Sequence, residues 1–184
     1  MNIANCVTSL RLVAVPPLII LVGGRLFDYA ALLFAFAIIT DGLDGMIARR
    51  LNEVTPLGKI LDPLSDKLLL VSSFVALTVI RTIPLWITVV VFARDIIIVG
   101  GWFLIYLLTG IKNIAPSIPG KITACIEMGL VMTVLFENYN LYSYNIWTQL
   151  KPLMLYGTLI FSIISGSGYI IFGLNELKAG KGRQ

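Results

Sequence analysis

Polar residues interrupt this chain rarely, and between the interruptions stand six long apolar runs, at about 6–24, 28–49, 57–80, 84–109, 118–136 and 149–173. A helix needs roughly 20 mostly apolar residues to cross the hydrocarbon core of a bilayer, and each run is of that order. The breaks carry turn chemistry. Gly23-Gly24 closes the first run, Thr55-Pro56 opens the third, and Thr82-Ile83-Pro84 separates the third from the fourth. Pro116 to Gly120 precedes the fifth, and the polar stretch Glu137 to Asn145 follows it. Pro16-Pro17 lies inside the first run and is expected to kink it. The pattern predicts an all-α membrane protein with six transmembrane helices.

The first run is expected to be a retained span rather than a signal peptide. It has no charged leader, Arg11 interrupts it, and no small-residue cleavage pattern follows.

Composition strengthens the membrane reading. The 184 residues are 58% hydrophobic and only 13% charged, with a mean hydropathy of +0.91, whereas a soluble domain carries about 25% charged residues. One membrane domain over residues 1–184 is the expectation, with no length left for a separate soluble one. The net charge of +4 does not point to nucleic acid, because the basic residues cluster at the ends of runs, where loop charge and anionic headgroups account for them. With six spans both termini share a side. That side receives Arg49, Arg50, Lys59, Lys112, Lys121, Lys178, Lys181 and Arg183, against Arg25, Arg81 and Lys151 opposite. The termini are therefore expected in the cytoplasm. Cys6 and Cys125 form no CxxC pair, and histidine is absent. A zinc or redox site and any imidazole chemistry are thereby excluded.

Several charges fall within or at the ends of apolar runs: Asp41, Asp44, Asp62, Asp66, Lys67, Arg94, Asp95 and Glu127. A charge at the bilayer centre costs at least ~2.5 kcal/mol, so an intramembrane ionisable residue is a functional signal by default. Asp41 and Asp44 are three residues apart, Asp62 and Asp66 four. At ~3.6 residues per turn, each pair projects from one helix face. Antiparallel neighbouring spans can bring both pairs to one depth, where four carboxylates repel unless cations neutralise them. Oxygen-only ligation selects hard ions, Mg²⁺ first with Mn²⁺ or Ca²⁺ behind. Two divalent cations balance four carboxylates, and such a dimetal site suits phosphoryl displacement. Gly42, Gly45, Ala48 and Gly58 leave room for a bulky polar ligand, and Arg49 can reach a diphosphate.

Residues 41–66, DGLDGMIARRLNEVTPLGKILDPLSD, resemble the signature of the CDP-alcohol phosphotransferases, D-x2-D-G-x2-A-R-x8-G-x3-D-x3-D. All eight specified positions match: Asp41, Asp44, Gly45, Ala48, Arg49, Gly58, Asp62 and Asp66. The resemblance implies a six-helix membrane core and transfer of a phosphatidyl group from CDP-diacylglycerol to an alcohol, with CMP leaving. It further implies that Asp41, Asp44 and Asp62 ligate two metal ions, and that Asp66 is a ligand or the catalytic base. Gly45, Ala48, Arg49 and Gly58 would line the CDP pocket. Family members form homodimers, which is the expectation here.

Further stretches resemble the bacterial phosphatidylglycerophosphate synthases: NIANCVTSLRL at the start, VTPLGKILDPLSDKLLL, ARDIII at 93–98 and PGKITA at 119–124. This likeness implies glycerol 3-phosphate as acceptor, Arg94 and Lys121 as binders of its phosphate, and a place in the bacterial inner membrane. The chain departs from them at VGGWF, where those synthases carry an arginine, and IPLWITVVVFARDIII is also similar to cardiolipin synthases, whose acceptor is phosphatidylglycerol. A cation transporter or channel is the alternative of another class, since membrane aspartates also line ion paths. Against it stand the absence of a repeated pair of broken helices and the small-residue and arginine pattern between the aspartates. Lys67 reads as a charge balancer, the tail Lys178–Arg183 as an anchor to anionic lipid, and Trp86, Trp102 and Trp147 as interface or packing residues.

Overall fold

A computed structural model describes the backbone of residues 3–51, 58–109, 118–138 and 146–181 and, within them, the side chains of 11–40, 65–101, 118–138 and 146–171 with a few beyond. Six α-helices follow one another: α1 (Ile3–Gly23), α2 (Phe27–Leu51), α3 (Gly58–Val79), α4 (Leu85–Thr109), α5 (Ile118–Glu137) and α6 (Ile146–Lys181). Each covers one apolar run, with ends displaced by a few residues. The largest displacement is in α6, which continues past 173 to Lys181 because NELKAGK holds several good helix formers. α1 runs unbroken through Pro16 and Pro17. Neither proline has an N–H, so the carbonyls of Leu12 and Val13, one turn earlier, lose their helical donors.

The chain divides into two compact units, residues 1–83 with 131–151 and residues 84–130 with 152–184. In the first, α1 packs against both α2 and α3. Ala14, Leu18 and Val22 form the buried stripe of α1; Phe27, Ala30, Ala31, Phe34 and Ala37 that of α2; Leu69, Leu70, Phe74 and Leu77 that of α3. Steps of three and four residues keep each set on one face, and the alanines of α2 allow close approach. Later in the same unit, Phe136 stacks on Trp147 with ring centroids 4.9 Å apart. Lys151 Nζ lies 2.6 Å from Glu137 Oε2, so two contacts one turn apart tie the end of α5 to the start of α6.

The turns after α1 and α3 are built alike. Arg25 and Arg81 adopt left-handed backbone, with φ of 58° and 62°. Arg25 N–H donates to the Val22 carbonyl and Leu26 N–H to that of Leu21. Arg81 N–H donates to Thr78 and Thr82 N–H to Leu77 in the same pattern. Both are Schellman caps, whose left-handed position usually holds glycine. At the first turn Gly23-Gly24 ends the helix as expected, yet the left-handed residue is Arg25. A cation there faces the negative end of the helix dipole.

In the second unit the ordinary pattern is inverted. Thr88 and Arg94 on α4, Thr123 and Glu127 on α5, and Thr158, Ser162 and Ser165 on α6 are buried, alongside Ile87, Val91 and Leu130. Val89, Ile96, Val99, Ile122, Leu153, Ile160 and Ile163 point outward. Leaving one such side chain in water costs about 1.5–3 kcal/mol relative to burial, so this exterior suits hydrocarbon. Among the described residues, Ile118–Glu137 and Ile146–Ile171 are long and apolar enough to cross a membrane.

The caps make a testable point. Arg81→Gly is expected to hold or raise stability, by up to ~1 kcal/mol, and Arg81→Val to lower it by about 1 kcal/mol, because a β-branched residue tolerates the left-handed region worst. Thermal unfolding in detergent reads both.

Candidate active site

The buried stripe of α2 steps from Ala30 and Phe34 to Ala37, and the same steps lead on to Asp41, Asp44 and Ala48, all on the last turns of that helix. On α3, Asp62 and Asp66 stand one turn apart near the start, ahead of buried Leu69, Leu70 and Ser73. Both carboxylate pairs thus fall on helical backbone at the spacing that puts each pair on one face. The side chains of Asp41, Asp44, Gly45, Ala48, Arg49, Gly58 and Asp62 lie outside the described residues.

Asp66 is described, and its setting is specific. Arg11 Nη1 of α1 forms an ion pair with Asp66 Oδ1, and the same nitrogen donates to Ser65 Oγ at 3.1 Å. Arg11 is 4% exposed and Asp66 34%, so the guanidinium is inside while the carboxylate keeps an open side. Arg11 continues the stripe Ala14, Leu18, Val22 toward the N-terminus, at the steps that define the buried face. Along the sequence Arg11 stands out as an interruption of the first apolar run and as the arginine of the NIANCVTSLRL opening, and neither names its partner. The signal was present: an arginine on the buried stripe of an apolar helix needs an anionic partner.

A second polar centre occupies the other unit. Arg94 is 7% exposed, with Nη1 2.7 Å from Asp95 Oδ1. Its Nη2 reaches Ser165 Oγ at 3.1 Å and the Gly120 carbonyl at 3.5 Å, while Nε is buried without a partner. Thr123 Oγ1 lies 2.8 Å from the Pro119 carbonyl and 3.1 Å from that of Phe161, bonding within α5 and across to α6. Thr158 Oγ1 and Ser162 Oγ are buried and unpaired. Sequence reasoning singled out Arg94 and Glu127 here but missed the line Thr158, Ser162, Ser165, which a count of polar residues at steps of four and three would have found. Lys121 is exposed in the first turn of α5.

The donor set fits a hard divalent cation by chemistry: carboxylate oxygens on helical backbone, in pairs a turn apart, with no histidine anywhere in the chain. Among the described residues no three potential ligands converge, and of the four aspartates only Asp66 belongs to that set.

Comparison with known proteins adds an independent line. A family model described as CDP-alcohol phosphatidyltransferase matches residues 1–164. A Bacillus subtilis protein named CDP-diacylglycerol–glycerol-3-phosphate 3-phosphatidyltransferase is 30% identical over 195 residues, covering 96% of this chain and 97% of its own. An Aquifex aeolicus protein of the same name is 32% identical, covering 96% and 98%. A Streptomyces coelicolor protein named cardiolipin synthase (CMP-forming) is 39% identical over 101 residues, covering 52% of this chain and 47% of its own.

The Arg94 centre is structural as well as chemical in its demands. Arg94→Met removes a buried cation from Asp95 and is expected to cost about 3 kcal/mol or more, read as a lower unfolding temperature in detergent. Ser165→Ala removes one hydrogen bond and should cost about 1 kcal/mol.

Proposed function

From the membership of this chain in the CDP-alcohol phosphatidyltransferase family, we propose that it transfers a phosphatidyl group from CDP-diacylglycerol to glycerol 3-phosphate, giving phosphatidylglycerophosphate and CMP. It is a membrane-associated transferase of phospholipid biosynthesis. The choice of acceptor is carried by the extent of likeness. Two relatives named for glycerol 3-phosphate match end to end, while a relative named cardiolipin synthase matches over about half its length.

In this reading the oxygen of the acceptor hydroxyl attacks the lipid-side phosphorus. The bond from that phosphorus to the CMP phosphate oxygen breaks, and CMP departs. The hydroxyl proton passes to Asp66, whose Oδ1 is engaged by Arg11, leaving the second carboxylate oxygen to accept it. Held by Asp41, Asp44 and Asp62, with Asp66 as a further ligand where it does not serve as the base, two Mg²⁺ ions would supply charge neutralisation at the diphosphate. Gly45, Ala48 and Gly58 leave space for the CDP group, and Arg49 contacts its phosphates. Arg94 and Lys121 bind the acceptor phosphate, Lys121 from an exposed position and Arg94 through the buried Nε that its other contacts leave unpaired. Arg94 already holds Asp95, so the kinetic test of acceptor binding falls on Lys121.

The reading extends to topology. All six helices hold 20 residues or more, enough at ~1.5 Å per residue to span ~30 Å of hydrocarbon. Six spans in a bacterial inner membrane, with termini and site toward the cytoplasm, agree with the basic residues between the runs. A homodimer is the oligomeric state proposed.

With detergent-purified protein, CDP-diacylglycerol and Mg²⁺, CMP release is expected with glycerol 3-phosphate and not with phosphatidylglycerol; the reverse would make the chain a cardiolipin synthase. Asp41→Ala, Asp44→Ala and Asp62→Ala should each abolish release, and full activity in any one sinks the metal assignment. Lys121→Ala is expected to raise KM for glycerol 3-phosphate ~tenfold, the factor for ~1.4 kcal/mol, with KM for CDP-diacylglycerol unchanged. Equal effects on both substrates would remove Lys121 from the acceptor site.

A further inference from the structure

Between α1 and α2 lies a groove of about 160 Å³. The two helices are joined by a three-residue turn and run antiparallel, and the groove follows their register. Arg11 and Thr40 stand at one end, Ala14 and Ala37 at the middle, Pro17 and Leu33 at the other end. The middle is lined by two small side chains, Ala14 and Ala37. Val13 and Phe36, 67% and 56% exposed, border it on the outer surface, so the groove can be entered sideways from surrounding lipid.

Its polarity is graded. The end at Arg11 and Thr40 offers a guanidinium and a hydroxyl, although the Thr40 hydroxyl donates to the Phe36 carbonyl. From Ala14 to Leu33 the lining side chains are hydrocarbon. A water occupies ~30 Å³ of liquid and needs two or more polar partners, so this volume has room for several waters but no side-chain partners for them beyond the polar end. Hydrocarbon is the better occupant, with a charged or ester-bearing group at the polar end.

That polar end adjoins the motif. Thr40 immediately precedes Asp41 in α2, and Arg11 pairs with Asp66. We propose that the α1–α2 groove holds the upper part of one acyl chain of the CDP-diacylglycerol donor, its glycerol-ester end at Arg11 and Thr40 and its tail running past Ala14 and Ala37 toward Pro17 and Leu33. The inference rests on the donor assigned above and adds where that donor's lipid half lies. An ordinary phospholipid could enter the same groove from the bilayer. The donor is favoured because its diphosphate, beyond the glycerol, would carry more negative charge toward Arg11 and the proposed metal site than the single phosphate of an ordinary phospholipid.

The test has a binding arm and a kinetic arm. CDP-diacylglycerol carrying a diazirine near the top of one acyl chain is photolysed with the wild-type protein in detergent–lipid micelles, and labelled peptides are mapped. Label is expected in residues 12–17 and 33–40, and unlabelled CDP-diacylglycerol should displace it while equal phosphatidylglycerol does not. In the kinetic arm, Leu33→Trp fills the far end of the groove, and Ile39→Trp places the same bulk on α2 outside it. Leu33→Trp should raise KM for a long-chain donor ~tenfold, equivalent to ~1.4 kcal/mol, and leave KM for the dihexanoyl donor within about twofold by the same relation. Ile39→Trp should change neither. Label on other helices, displacement by phosphatidylglycerol, or equal effects on long and short donors would each overturn the groove assignment. Failure of the parent reading looks different: CMP is released from no donor, whatever the label does. Label in the groove without CMP release would sink the transfer reading and keep the groove; release with label elsewhere would do the opposite.

Discussion

Hydrocarbon offers no hydrogen bond, and the arrangement of polar groups in this molecule follows from that. A polar atom facing lipid stays unsatisfied at a cost of several kcal/mol, so polar side chains turn inward or back onto their own helix. Ser73 and Thr123 donate to carbonyls one turn earlier, at 2.6 Å and 2.8 Å. Arg94 collects Asp95, Ser165 and the Gly120 carbonyl. Much of the outward surface is isoleucine, leucine, valine and phenylalanine. In water the same arrangement would be inside out.

The two units meet this constraint differently. In the first, α1 joins α2 and α3 through an apolar stripe that ends at a charged group, Arg11, which meets Ser65 and Asp66. A buried ion pair contributes little net stability once desolvation is counted, while losing one partner is expensive. Its value here is positional: one oxygen of a motif aspartate is tied to α1, and the other side of the carboxylate stays open. The second unit carries its polar groups as a continuous seam through α4, α5 and α6, with Arg94 at its centre. Hydroxyls held between helices give specificity of packing where the hydrophobic effect does not act.

Much of this was legible along the chain. Six apolar runs become six helices among the described residues, because a long apolar run satisfies its own backbone as a helix. The aspartate spacings of three and four fall on helical backbone, as a one-turn repeat requires. Legibility failed at the ends and in the pairings. The left-handed cap after α1 falls on Arg25 rather than on a glycine, while Gly24 takes the position where a Cβ would stand 3.2 Å from the Ile20 carbonyl. The line Thr158, Ser162, Ser165 escaped notice because each member alone resembles an ordinary small residue in a spanning helix.

What the sequence determined by itself was periodic or compositional: helical class, an exterior suited to lipid, and a carboxylate motif specific enough to name a chemistry. These depend on neighbours within a turn or two, which the chain order displays. Tertiary structure decided which distant groups meet. Arg11 and Ser65 are 54 positions apart, Arg94 and Ser165 are 71, and no local pattern chooses such partners. The groove beside Ala14 and Ala37 is of the same kind. Each alanine is unremarkable in its own helix, and the space exists only because antiparallel packing sets one opposite the other.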